Sequence, residues 1–124
     1  MEYKEFVQAV AGRTVLTREE AADLTRAVMR TLGTRLSSGE ARYLAERLPD
    51  SLGELIPAEG RSEQFGLDDF ITRVARHAGL NTEAATEGVR AVLKVLRETV
   101  SDEVFGHVAS QLPGGFERMA GSAT

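Results

Sequence analysis

The stretch Arg26-Ala27-Val28-Met29-Arg30-Thr31-Leu32 returns 64 positions later as Arg90-Ala91-Val92-Leu93-Lys94-Val95-Leu96. The same offset lays Tyr3–Ile56 on Leu67–Ala120 without a gap. Phe6 then meets Phe70, Val10 meets Val74, Leu16 meets Leu80, Ser37 meets Ser101, and Leu48-Pro49 meets Leu112-Pro113. About a quarter of the paired positions are identical, and most others keep their apolar or polar character. An ungapped match over a whole half indicates duplication of one supersecondary unit. The expected fold is all-α: a compact eight-helix bundle made of two tandem four-helix repeats related by pseudo-twofold symmetry. Within a single domain, 1–124, repeat one spans 3–56, the linker 57–66, repeat two 67–120 and the tail 121–124.

The long helix around the quoted stretch decides the unit. Ala21, Leu24, Val28, Leu32 and Leu36 recur at helical spacing, as do Ala85, Val89, Val92, Leu96 and Val100. Each Leu or Val buried on such a stripe stabilises the fold by about 1.5–3 kcal/mol. Ala21, Ala27, Ala85 and Ala91 let the long helices approach closely. Thr17 with Glu20 fits a reciprocal capping box, and Asn81 is the corresponding cap in the second half.

Shorter helices flank it. The first spans Glu2–Ala11 with Phe6, Val7 and Val10 on one side, copied by Phe70, Ile71 and Val74. Gly79 is placed to end the second copy in a left-handed cap. Val15 holds that place in the first half, so the stop there must come from elsewhere. The third helix starts at Ser37, with Glu40 completing a capping box, and its copy starts at Ser101, with Asp102 and Glu103 at the positive end. Leu44 and Leu48 match Val108 and Leu112. Pro49 and Pro113 then introduce a short fourth helix, faced by Leu52, Leu55 and Ile56 or by Phe116, Met119 and Ala120. Pro57-Ala58-Glu59-Gly60-Arg61-Ser62-Glu63-Gln64 is polar and aperiodic, a surface linker. Phe65 is expected to pin the chain before the fifth helix as a hydrophobic staple, and the tail to fray.

Composition bounds the rest. A chain of 124 residues with 42% hydrophobic and 27% charged residues can bury a core without metal or disulfide support. It has no cysteine, which removes thiolate zinc sites, disulfides and cysteine nucleophiles. The amino terminus enters a helical pattern directly, and no apolar run approaches the roughly 20 residues of a membrane span. A cytoplasmic setting is expected. A net charge of −4 and a pI near 5.2 argue against non-specific binding to nucleic acid or anionic lipid.

The residues quoted above carry a resemblance. Phe6, Val10 and Ala11, the long Ala27-Val28 to Leu32 helix, the Ser37-initiated helix and Leu48-Pro49 recur in the second half. The pattern resembles the bacterial family catalogued as domain of unknown function 2267 over nearly the whole chain. Its motifs are packing and capping residues, so the resemblance implies the fold; it brings no catalytic residues.

Residues able to do chemistry are few. His77 falls near the end of the fifth helix, where a protonated ring favours the negative helix end. His107 holds the place of Tyr43, as a ring bordering the core beside Val104 and Val108. Glu103 and His107 are one turn apart, but a zinc or di-iron site needs three or four converging ligands. Ser37 and Ser101 have cap roles, and Gly114-Gly115 lacks the strand, lysine and glycine spacing of a phosphate loop. Gly114-Gly115 is expected to be a flexible lead-in to the last helix. No enzyme activity, cofactor or metal is expected.

The most suggestive polar feature is basic and repeated. Arg26 and Arg30 lie one turn apart, matched by Arg90 and Lys94. Asp23 precedes Arg26 by one turn, Glu87 precedes Arg90, and Glu98 follows Lys94, so these cations are also expected to form solvated intrahelical pairs. The leading functional expectation is a non-catalytic interaction or scaffold module that binds a protein partner or itself. The alternative is a nucleic-acid- or phosphate-binding protein using Arg26, Arg30, Arg90 and Lys94. A small-molecule pocket between the halves is a third option.

Overall fold

A computed structural model of the chain describes residues 1–58, 60 and 62–121. Among these residues there are eight helices and no strand: α1 (Tyr3–Gly12), α2 (Arg18–Arg35), α3 (Ser38–Glu46), α4 (Asp50–Gly53), α5 (Leu67–Ala78), α6 (Thr82–Thr99), α7 (Asp102–Ala109) and α8 (Phe116–Met119). Among the described residues the fold is all-helical, and no helix is long and apolar enough to cross a membrane. The expected fraying of residues 122–124, and the linker expectation at 59 and 61, lie outside the described residues.

The central helices start where their caps dictate. Glu20 N–H donates to Thr17 Oγ1 at 3.1 Å, and Thr17 N–H donates back to Glu20 Oε1 at 2.8 Å. Asn81 Oδ1 accepts from Ala84 N–H at 2.8 Å at the start of α6. Both apolar stripes are buried throughout, from Ala21 to Leu36 and from Ala85 to Val100. Two buried hydroxyls, Thr25 and Thr31, stay satisfied by donating to the carbonyls one turn earlier, Ala21 O and Ala27 O.

α2 and α6 pack against each other, with α1 and α5 lying against both. Leu24 and Gly88 meet at their contact. A Cβ on Gly88 would come within 2.6 Å of Leu24 Cδ2, so any side chain there would force Leu24 to shift. Both residues are buried, and they are separated by the same 64 positions that relate the quoted stretches. α3 and α7 also touch, through Tyr43 and His107 with ring centroids 4.4 Å apart. These two residues also correspond at that offset.

The outer elements close the ends. Ser51 of α4 accepts from Tyr3 N–H and donates to Glu2 Oε1, tying α4 to the start of α1. Phe65 stands next to the N-cap of α5 and lies 6.4 Å from Phe70, the staple geometry expected of it. Arg35 holds the linker and the last turn together, donating to Phe65 O and Gln111 O. Phe70 and Phe116 meet edge to face at 4.8 Å, which anchors α8 over α5.

Three local expectations need correction. Glu40 does not complete a capping box: Ser37 Oγ accepts from Glu40 N–H, but the carboxylate turns toward α7. Glu40 Oε2 is buried 3.0 Å from His107 Nε2 and has no aligned hydrogen-bond donor. Packing of α3 on α7 has displaced the local interaction. Pro49 introduces α4 directly as its N-cap, whereas Gly114 and Gly115 separate Pro113 from α8, so Pro113 does not pre-set that helix's first turn. Gly115, at φ 105°, takes a left-handed turn there. Finally, α1 runs Tyr3–Gly12, with Glu2 outside it as a reciprocal N-cap with Glu5.

Candidate functional site

The exposed side of α2 carries Asp23, Arg26 and Arg30, set there because the opposite stripe is consumed by the core. α5 packs alongside and brings the exposed His77 to the same surface. Together with Ala27 these residues line a cleft of about 240 Å³. On α6 the equivalent side carries Glu87, Arg90 and Lys94. There the end of α1 delivers Arg13, and with Ala91 these line a cleft of about 470 Å³.

The two linings correspond position by position at the 64-residue offset: Asp23 with Glu87, Arg26 with Arg90, Ala27 with Ala91, Arg30 with Lys94, and His77 with Arg13. In each cleft one long helix supplies four residues and the end of the other half's first helix supplies the fifth. All four basic residues singled out in the sequence are therefore brought to clefts, Arg26 with Arg30 and Arg90 with Lys94.

Their charge pairing is uneven. Arg26 is engaged by the Asp23 carboxylate, one turn before it, and donates to the Tyr3 hydroxyl at 2.8 Å. Arg90 lies 4.0 Å from Glu87, the outer limit of an ion pair. The expected Lys94–Glu98 pair does not form. Glu98 is taken instead by Arg13, 85 residues away, at 2.6 Å. Arg13 reaches it because α1 ends against α6, and a guanidinium fork outcompetes a flexible ammonium for a carboxylate. Arg30 and Lys94 are left without an ion-pair partner among the described residues.

A larger cleft, of about 630 Å³, adjoins the α6 cleft and shares Arg13 and Glu87 with it. It lies between the α1–α2 turn, Gly12 to Leu16, and the start of α6 at Asn81, Glu83 and Ala84. Val15 stands at its rim at 102% exposure, the most exposed large apolar side chain among the described residues. Sequence reasoning missed this feature, although Val15 in the place of Gly79 was its signal. It also missed Arg13 and His77 as cleft residues. Their signal was a matched pair of nitrogen-bearing side chains at the ends of corresponding helices.

The histidines divide. His77 joins the α2 cleft. His107 is occupied by Tyr43 and Glu40, while Arg47 lies over the Tyr43 ring at 3.6 Å from its centroid. Among the described residues no group of three or more His, Cys, Asp or Glu converges on a metal-sized space. The cleft carboxylates Asp23 and Glu87 are more than half exposed and face guanidinium groups.

No curated protein matches this chain. The family model described as Uncharacterized conserved protein (DUF2267) matches it over residues 3–119. Spanning almost the entire sequence, that match makes this chain a member of the DUF2267 family.

Proposed function

We propose that the chain is a non-catalytic interaction module built from two tandem four-helix repeats, and that its twin clefts dock a protein partner or a further copy of the chain. The observation that carries this reading is that both clefts keep one charge pattern outside the core, an acid followed by two cations, at Asp23, Arg26 and Arg30 and at Glu87, Arg90 and Lys94. A duplicated fold sets equivalent positions in equivalent places, but packing does not require charge to be kept on surfaces the core does not use.

A pseudo-twofold axis between the repeats is part of the proposal. Residues that meet their own counterparts support it: the Tyr43 and His107 rings lie 4.4 Å apart, and Leu24 fills the space that a Cβ on Gly88 would need. The axis would make the clefts equivalent by construction. A binding role is favoured over a chemical one because the cleft carboxylates Asp23 and Glu87 are more than half exposed and open to water.

The test is capture from the native cell with the wild-type chain and with a variant carrying Arg26→Glu, Arg30→Glu, Arg90→Glu and Lys94→Glu. Circular dichroism controls for folding. Loss of the captured partner from a folded variant is the expected result. Identical capture by both chains would remove the clefts from any binding role.

A second reading, recognition of nucleic acid or another phosphate-bearing ligand, is favoured by the unpaired Arg30 and Lys94. It predicts retention of DNA or RNA that falls steeply with salt and is abolished in the same variant. The acidic net charge and the lack of Phe, Tyr or Trp among the described residues lining either cleft weigh against it.

A further inference from the structure

The outer face of α6 has a charge polarity that binding a uniformly anionic ligand would not use. The exposed Glu83, Glu87 and Arg90 and the half-buried Lys94 fall within a stripe about 60° wide and about 16 Å long, given 100° and 1.5 Å per residue. The two carboxylates occupy its amino-terminal half and the two cations its carboxy-terminal half. A uniformly anionic ligand drawn to Arg90 and Lys94 would meet Glu87 and Glu83 one and two turns away. The stripe therefore selects against such a ligand along its length.

It fits its own reverse. An identical stripe laid antiparallel puts Glu83 opposite Lys94 and Glu87 opposite Arg90, twice over. A parallel copy sets like charge against like. Self-complementarity under a two-fold rotation is what an isologous interface requires. We infer that the α6 face is the contact surface for a second copy of this chain, with the two α6 helices antiparallel. This inference rests on reading the clefts as docking surfaces, and it assigns an occupant to one of them.

Three observations favour α6 over the matching stripe of α2, which is Glu19, Asp23, Arg26 and Arg30. First, its inner charges are less committed: the outer residues of both stripes, Glu83 and Lys94 or Glu19 and Arg30, have no ion-pair partner among the described residues, but Glu87 and Arg90 are 4.0 Å apart. On α2, Arg26 is held by both Asp23 and the Tyr3 hydroxyl. Second, the α6 face has room, because its cleft of about 470 Å³ continues into one of about 630 Å³. The α2 cleft holds about 240 Å³. Third, the α6 groove has an apolar rim in Val15, and its lining includes the small side chains Ala84 and Ala91, which permit close helix approach.

The test uses the full chain in sedimentation equilibrium at low ionic strength. The wild type is expected to form a concentration-dependent dimer that weakens at high salt, where charges are screened beyond a few ångströms. The double variant Glu83→Lys, Glu87→Lys makes the stripe wholly basic, and Arg90→Glu, Lys94→Glu makes it wholly acidic. Each alone should raise the dissociation constant by about tenfold or more. An equimolar mixture of the two should dimerise again, a recovery that misfolded chains cannot give. A wild type that stays monomeric at high concentration would overturn the inference. So would failure of the mixture to associate, or a dimer disrupted by Glu19→Lys, Asp23→Lys on α2 but indifferent to the α6 variants. In each case the capture experiment with the cleft variant still decides separately whether the clefts bind a different protein.

Discussion

The turns after α1 and α5 do the same work in different ways. After α5, Gly79 adopts φ 70°, and Leu80 N–H returns to Ala75 O at 3.0 Å. After α1, Val15 replaces it, and no non-glycine residue among those described has positive φ. The helix there ends on Arg13, and the Thr14 hydroxyl donates to Val10 O at 3.1 Å and accepts from Leu16 N–H at 3.3 Å. A side chain has replaced a backbone conformation as the stop signal. The consequence is spatial, since the first turn projects Val15 into solvent and borders the cleft of about 630 Å³. α5 also packs more extensively on α2 than α1 does on α6, which leaves the α6 side more open. The difference teaches that the buried stripes of the two halves constrain each other, whereas turns and exposed faces are free to diverge.

The contrast between the halves is sharpest at the buried pair Leu24 and Gly88. Leu24→Ala removes a fully buried side chain and should lower stability by about 2–5 kcal/mol. Gly88→Leu places a second leucine where the first already fills the space, for a loss of about 1–3 kcal/mol or more from overpacking. Chemical denaturation of both variants checks these values. Equal tolerance at the two positions would erase the distinction.

The turns provide a milder comparison. Gly79→Ala should lose about 1 kcal/mol, because a Cβ is disfavoured in the left-handed region. Val15→Ser should change stability by less than about 0.5 kcal/mol, since its side chain packs on nothing. Thermal melts of the two variants side by side would reveal any hidden role for Val15 in folding. The smallest effect belongs to the Arg13–Glu98 pair, whose side chains are 38% and 53% exposed. Arg13→Ala should lower stability by at most about 1 kcal/mol, and less at high salt. His77, its counterpart, has no ion-pair partner among the described residues, so His77→Ala should show a smaller salt dependence than Arg13→Ala.

What the sequence made legible was whatever is local or periodic. Thr17 with Glu20, Asn81, Ser37, Ser101 and both apolar stripes follow from spacing and end chemistry, and each is found where expected. Glu40 and Glu98 show the boundary of that reasoning. Spacing gives both a partner within one turn, and both turn instead to residues far along the chain, His107 and Arg13. Which helices cross, and at what angle, is not encoded in periodicity, and a surface carboxylate goes to the best donor within reach. The same limit hid the clefts. Arg26, Arg30, Arg90 and Lys94 were visible as repeated cations, but Arg13 and His77 join them only through helix packing. Gly88 was readable in principle, as a small residue matched to a large one inside a core stripe.

The most direct measurement exchanges the two central residues. A chain carrying Leu24→Gly and Gly88→Leu together moves the bulky side chain across the proposed axis while conserving composition and total volume. If the halves are equivalent about that axis, each single change is damaging and the combined variant recovers most of the loss in a denaturation cycle, returning to within about 1 kcal/mol of the wild type. A combined loss equal to or greater than the sum of the two would contradict the equivalence of the halves, and with it the account of twin clefts.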